Sequence, residues 1–156
     1  AVKQRYLFSA LFSAGVMMPM GFEYGLRKPL HVVHTTPNDW QVNGVDLTSF
    51  ITSVNRIKRD HPVFREESPV NILPCHNPNV LFMWKASARH RDEALLILNK
   101  DPHNHQDFYT EHFRNYVQAG APLTDVSPEY PMEYLHEPFH YALRPGQGIV
   151  LVTKRG

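Results

Sequence analysis

The 156-residue chain carries a formal net charge of +1, with 42% hydrophobic and 20% charged residues. This balance is that of a folded globular protein and excludes intrinsic disorder. Without clustered Lys and Arg, the chain lacks the electrostatic footprint of nucleic-acid or anionic-membrane binding. A single cysteine, Cys75, excludes an internal disulfide and fits a reducing compartment, so the expected location is cytoplasmic.

Residues 2–14 place Tyr6, Leu7, Phe8, Leu11 and Phe12 at helical spacing and predict a short helix ended by Gly15. Lys3 and Arg5 ahead of this apolar stretch have the outline of a signal peptide. The apolar and aromatic character continues through Gly21, Phe22, Tyr24 and Gly25, past any cleavage site, so the stretch is read as part of the fold. It is also shorter than the roughly 20 residues that cross a bilayer. Val16, Met17, Met18, Pro19 and Met20 form an apolar run without polar alternation. That pattern predicts a strand covered on both faces, as in a parallel sheet or a barrel interior.

Residues 24–44 are polar and irregular, too long for a plain connection, and are expected to line a site. Asp46 then caps a predicted helix in which Leu47, Phe50, Ile51, Val54 and Ile57 share one face. Lys58 and Arg59 suit its C-terminal dipole and Pro62 stops it. Beyond Pro62 the texture becomes all-β, with short apolar segments between turn residues. Strands are predicted at 70–73, 80–86, 94–99, 107–113, 123–126, 139–143 and 149–153. Arg89, His90, Arg91 and Asp92 read as a charged hairpin tip, and residues 144–148 as a turn. The chain shows neither an internal repeat nor a low-complexity segment.

His136-Glu137-Pro138-Phe139-His140 matches the H-E-x-x-H pattern of zinc proteases. The pattern works only on a helix that carries both histidines on one face, and Pro138 breaks such a helix. Phe139, Tyr141 and Leu143 alternate as a strand does. Asp101, His103, Asn104 and His105, with His112 nearby, offer metal-type donors, but proline, asparagine and aspartate after a strand are what a turn requires. Cys75 beside His76 is read as structural. No metal and no cofactor is therefore expected. Glu23 follows the apolar run directly. If that run is a barrel strand, Glu23 lies at the C-terminal mouth, where barrel enzymes place binding groups. The alternative is a structural carboxylate paired with Arg27 or Lys28.

Arg5 to Leu11, followed by Gly15 to Gly25, resembles the end of the catalytic barrel of glycoside hydrolase family 13, the alpha-amylase family. Pro37-Asn38-Asp39-Trp40 and Phe50 to Pro62 are similar to that family's last barrel helix, above all in its branch using alpha-maltose 1-phosphate for maltosyl transfer. Leu98 to His103 and His136-Glu137-Pro138 are similar to the branch's C-terminal β-sandwich. The resemblance implies that the carboxylates of such chemistry come from barrel strands upstream of residue 1. Catalytic residues are thus none in this chain, and Glu23, Tyr24, Arg27, Lys28 and Trp40 are the candidate substrate-binding groups. Where the branch places lysine and tyrosine near the sugar phosphate, this sequence has Val32 and Val33. Hydrolysis and transfer both stay open.

The expected fold class is therefore an α+β fragment: residues 1–62 as the last strand and helices of a (β/α)8 barrel, and residues 63–156 as an antiparallel β-sandwich. The implied partners are an alpha-glucan or maltooligosaccharide and the upstream barrel. In its absence, the apolar faces of residues 1–62 are expected to drive homo-oligomerisation or to pack on the sandwich. The other reading is a non-catalytic carbohydrate-binding or structural module, with Trp40, Trp84, Tyr109, Tyr116 or Tyr134 stacking on sugar rings.

Overall fold

The computed structural model describes residues 1–28, 30–31, 33–40, 43–89, 92–118 and 122–154, with Lys154 in its backbone alone. Helix α1 spans Val2–Phe12 and buries Tyr6, Leu7, Ala10 and Leu11; of the predicted stripe, Phe8 is half-buried and Phe12 exposed. Helix α2 spans Thr48–Asp60 and buries Phe50, Ile51, Val54 and Ile57. Asp46 sits one residue ahead of the capping position. Its carboxylate accepts the Thr48 backbone N–H and hydroxyl at 2.8 and 2.6 Å. These bonds favour the ionised form and lower its pKa.

The strands are β1 (Val70–Ile72), β2 (Val80–Ala86), β3 (Asp92–Asn99), β4 (Gln106–Thr110), β5 (Thr124–Asp125), β6 (Phe139–Leu143) and β7 (Gly148–Lys154). All seven predicted strands are present, β2 and β6 with the predicted ends and the other five with shifted ones. The strand expected at 107–113 stops at Thr110, and Phe113 instead opens a 3-10 helix, Phe113–Asn115. A five-stranded antiparallel sheet runs in the order β1-β2-β3-β7-β5, and β4 pairs with β6 in a second sheet. The hairpin between β2 and β3 falls where the charged tip is predicted; its His90 and Arg91 lie outside the described residues.

The larger sheet is covered on both faces. Phe82, Trp84, Leu95, Ile97, Ile149 and Leu151 face β4 and β6, in a core with Phe108, Phe113, Phe139 and Leu143. Met83, Ala94, Leu96, Leu98, Val150 and Val152 form the opposite core together with Leu7, Leu11, Val54 and Ile57 from the helices. Helices α1 and α2 thus pack on one face of the five-stranded sheet. At the start of β7 a Cβ on Gly148 would overlap Leu7, so glycine is what lets α1 approach the sheet this closely.

One expectation fails. Val16, Met17, Met18, Pro19 and Met20 form no strand, and all five are exposed, Met17 at 95%. A strand is stabilised by hydrogen bonds from neighbours, and among the described residues nothing pairs with this run.

The C-terminus of α1 is held by two ammonium groups. Lys58 from α2 donates to the carbonyls of Ala10, Ser13 and Phe64. Lys85 from β2, 1% exposed, donates to Phe12 at 2.7 Å and reaches Leu11 at 3.5 Å. Burial lowers the pKa of both lysines. Removing Lys85 leaves helix-end carbonyls buried without a donor. Lys85→Ala is expected to cost about 1.5–3 kcal/mol in urea denaturation, the range for hydrogen bonds to charged groups. Arg59→Ala, which breaks only the surface pair with Asp60, is expected to stay within about 0.5 kcal/mol.

Candidate functional site

The loop between the helices is built on a tight 3-10 helix, Phe22–Tyr24, between Gly21 and Gly25, both left-handed with φ of 83° and 62°. Leu26 closes back on the Gly21 carbonyl at 3.1 Å. A Cβ at Gly21 would lie 2.5 Å from Leu26 Cδ1, so both backbone angle and space require glycine there. The Leu47 N–H donates to the Glu23 carbonyl at 2.8 Å, fixing the loop to the start of α2. Asn43 Nδ2 donates to the Gly25 carbonyl, and the Phe22 ring lies 5.7 Å from that of Tyr6. The loop is therefore anchored to both helices.

Of the five candidate residues, the structure brings two pairs into contact with something. Tyr24 and Trp40 lie 5.5 Å apart between ring centroids, and both rings remain more than a third exposed. Lys28 Nζ faces Asp39 Oδ1 at 3.8 Å. Asp39 is itself fixed by the backbone N–H and hydroxyl of Thr36, which lower its pKa, with Lys28 adding to the effect. Arg27 is exposed. Glu23 forms no ion pair with Arg27 or Lys28 among the described residues, so the structural-carboxylate alternative lacks its partner. Its Oε2 is buried and has no hydrogen-bond partner among the described residues. An unmatched buried acceptor is unfavourable. Val33 is exposed, and Val32 lies outside the described residues.

The other motifs are accounted for locally. Asp101 accepts the backbone N–H groups of His103 and Asn104 and the side-chain amides of Asn104 and Gln106. The amide of Asn104, then the N–H of His103, do most to hold its pKa down at about 2. This is a turn-forming aspartate. Phe139 and Leu143 are buried and His140 exposed on β6, so the H-E-x-x-H stretch is not helical. Glu137 accepts the Phe113 N–H and pairs with His112 Nδ1 at 2.8 Å. No helix among the described residues is long and apolar enough to cross a membrane.

The aromatics divide. Trp84 is buried, its indole N–H bonded to Glu93, and half-buried Tyr116 lies edge-on to Phe82 at 4.8 Å. Tyr109 and Tyr134 are 51% and 69% exposed. Asp107 and Glu111, outside the candidate set drawn from the sequence, are exposed beside Tyr109. The i, i+2 period of the predicted strand was the signal for Asp107.

No family model matches the chain. Two alpha-1,4-glucan:maltose-1-phosphate maltosyltransferases, from Cereibacter sphaeroides strain ATCC 17023 and from Cereibacter sphaeroides, are each 27% identical to it, over 108 and 105 residues. The matches cover 59% and 57% of this chain and 16% and 18% of those proteins, so the chain spans less than a fifth of their length. Together with the fold, they support a relationship with the alpha-amylase family. The crystal structure of AmyP in complex with maltose matches with a TM-score of 0.70 at 12% identity, over 99% of this chain and 35% of that one. That likeness is one of fold.

The Asp101 turn gives a pH dependence with a defined sign. Its folded pKa, held at about 2, lies below the ordinary aspartate value of 3.8. The stabilisation is complete above the unfolded value and is lost as pH falls through the folded one. Asp101→Asn is expected to lower the urea midpoint at pH 6, and the gap from wild type is expected to narrow steadily between pH 4 and about 2.

Proposed function

We propose that this chain is the C-terminal region of an alpha-amylase-family enzyme that acts on alpha-1,4-glucans by hydrolysis or glycosyl transfer. On this reading residues 1–62 are the end of a (β/α)8 barrel and residues 63–156 its accessory sandwich. The chain supplies substrate-binding groups, and the catalytic carboxylates stand on other barrel strands. The observation that carries the proposal is the state of residues 16–23. An apolar run lies exposed and unpaired, and the next carboxylate, Glu23, keeps a buried oxygen without a donor. Both are what a barrel's final strand and its loop present before neighbouring strands are added. The maltosyltransferase similarity supports the substrate class.

Tyr24 and Trp40 supply a paired aromatic surface and Lys28 with Asp39 a polar edge, the combination that recognises a ring with apolar faces and a hydroxyl rim. Glu23 shapes the floor of that loop. Placing donors and rings in this way positions a sugar and leaves bond cleavage to groups elsewhere.

The test is an assay of the intact enzyme and of this chain alone on maltooligosaccharides. Turnover by the intact enzyme and none by the chain is the expected result. Release of maltose or glucose by the chain alone overturns the assignment of catalysis elsewhere, and an intact enzyme without action on alpha-glucans overturns the substrate class. In the intact enzyme, Trp40→Ala is expected to raise KM for maltooligosaccharide about tenfold with kcat little changed, the mark of lost uniform binding.

A further inference from the structure

The two-stranded sheet carries a second surface. Along β4, Phe108 and Thr110 point into the core, while Asp107 and Tyr109 point outward. In the antiparallel register Tyr109 lies opposite His140, and Asp107 opposite Ala142. The Tyr109 and His140 rings are 6.5 Å apart and roughly perpendicular, and His140 Nε2 is 3.6 Å from Asp107 Oδ1. Tyr109 also borders two adjoining cavities, of about 360 and 390 Å³, which share Cys75 and His76 as further walls. Glu111, Asn115 and Tyr116 line the first, and Asn77 and Asp107 the second. Helices α1 and α2 pack on the opposite face of the five-stranded sheet, so this groove lies on the side away from the proposed barrel end.

The chemistry of the groove is mixed in a specific way. A half-exposed, rigid aromatic ring stands on a strand, at small conformational-entropy cost for binding. Around it are carboxylates that accept hydrogen bonds and imidazoles that donate or accept with their tautomer. A pyranose has the complementary surface, with apolar C–H faces bounded by hydroxyls that both donate and accept. An apolar protein partner would leave the carboxylates unmatched, and a polyanion would be repelled by Asp107 and Glu111. The combined cavities are within the range that small ligands fill.

We infer that this groove is a glucan-binding site, with Tyr109 as the stacking platform and Asp107, Glu111 and His76 as the hydrogen-bonding rim. The choice of an alpha-linked glucan rests on the function proposed above; the platform itself rests on geometry. It makes the sandwich a holding surface for a polymeric substrate.

Cys75 provides the readout, because it is the one cysteine of this chain and lines both cavities. In the intact enzyme, alkylation of Cys75 by iodoacetamide, followed by peptide mass spectrometry, is expected to slow on addition of maltoheptaose. Cellohexaose, its β-linked counterpart, is expected to give no protection at equal concentration. In Tyr109→Ala the half-protecting maltoheptaose concentration is expected to rise about tenfold, as loss of one stacking contact predicts. Thermal unfolding of that variant is expected to match wild type; if it does not, Asp107→Ala, on a freely exposed side chain, serves with the same expectation. Cys75 labelling that maltoheptaose leaves unchanged, in an enzyme that still turns over alpha-glucans, overturns the groove and leaves the proposed function standing. Protection that survives both substitutions, or is equal with cellohexaose, also overturns it. Absence of both turnover and protection removes the two together.

Discussion

The architecture depends on how the end of α1 is held. An α-helix leaves its last four carbonyls without intrahelical partners, and here those of Ala10, Leu11, Phe12 and Ser13 converge on two lysines from different elements. Lys58 comes from α2 and Lys85 from near the C-terminal end of β2, so the bonds tie the helix end to its partner helix and to the sheet at once. Burial opposes the charge on both, and Glu67 offsets part of that penalty. Glu67 also accepts the Ala14 N–H at 3.0 Å, so the chain leaves the helix along a set path. The clamp sets where the chain leaves α1, at Ser13 and Ala14, while the Glu23 loop is held further on by its own bonds to Leu47 and Asn43.

The clamp works because the five-stranded sheet has two apolar faces. On β3, Leu95 and Ile97 enter one core while Ala94, Leu96 and Leu98 enter the other. A continuous apolar run is the signature of a strand covered on both sides. The same reasoning applied to residues 16–20 predicts a strand that the structure does not form. The difference lies in the partners: β3 has β2 and β7 alongside in full register, while residues 16–20 have none within the described chain. Hydropathy reports that a segment is suited to burial. It does not report whether the neighbour that buries it is present.

This separates what was legible in the sequence from what was not. Helical periodicity located the buried stripe of α2, and period-2 alternation located β6 with its inward Phe139 and Leu143, because both signals are local. Strand order, the two-faced core and the lysine clamp are pairings over long sequence separations, and no local pattern encodes them. At the candidate site, the left-handed backbone at Gly21 and Gly25 that closes the loop came only with the fold. The Tyr24 and Trp40 contact, and the pairing of Lys28 with Asp39 instead of Glu23, required the fold. The Tyr109 surface lies between these cases. Its residue types were visible, but its partner across the sheet, His140, is set by register.

These constraints meet at Glu23. A buried acceptor without a donor is unfavourable by about 1–3 kcal/mol, and an exposed methionine-rich run adds unfavourable apolar hydration beside it. Both penalties fall on one short stretch whose backbone is otherwise well fixed, by Leu47, Asn43 and the Tyr6 contact. A loop that is rigid yet unsatisfied has its geometry set in advance for a neighbour supplying a hydrogen-bond donor and an apolar wall. On the proposed reading adjacent barrel strands provide both, and the same rigidity then holds Tyr24 and Trp40 in place for a sugar ring. Preorganisation of this kind lowers the entropy lost on binding, which is why the loop's unsatisfied groups and its exposed aromatics belong to one explanation.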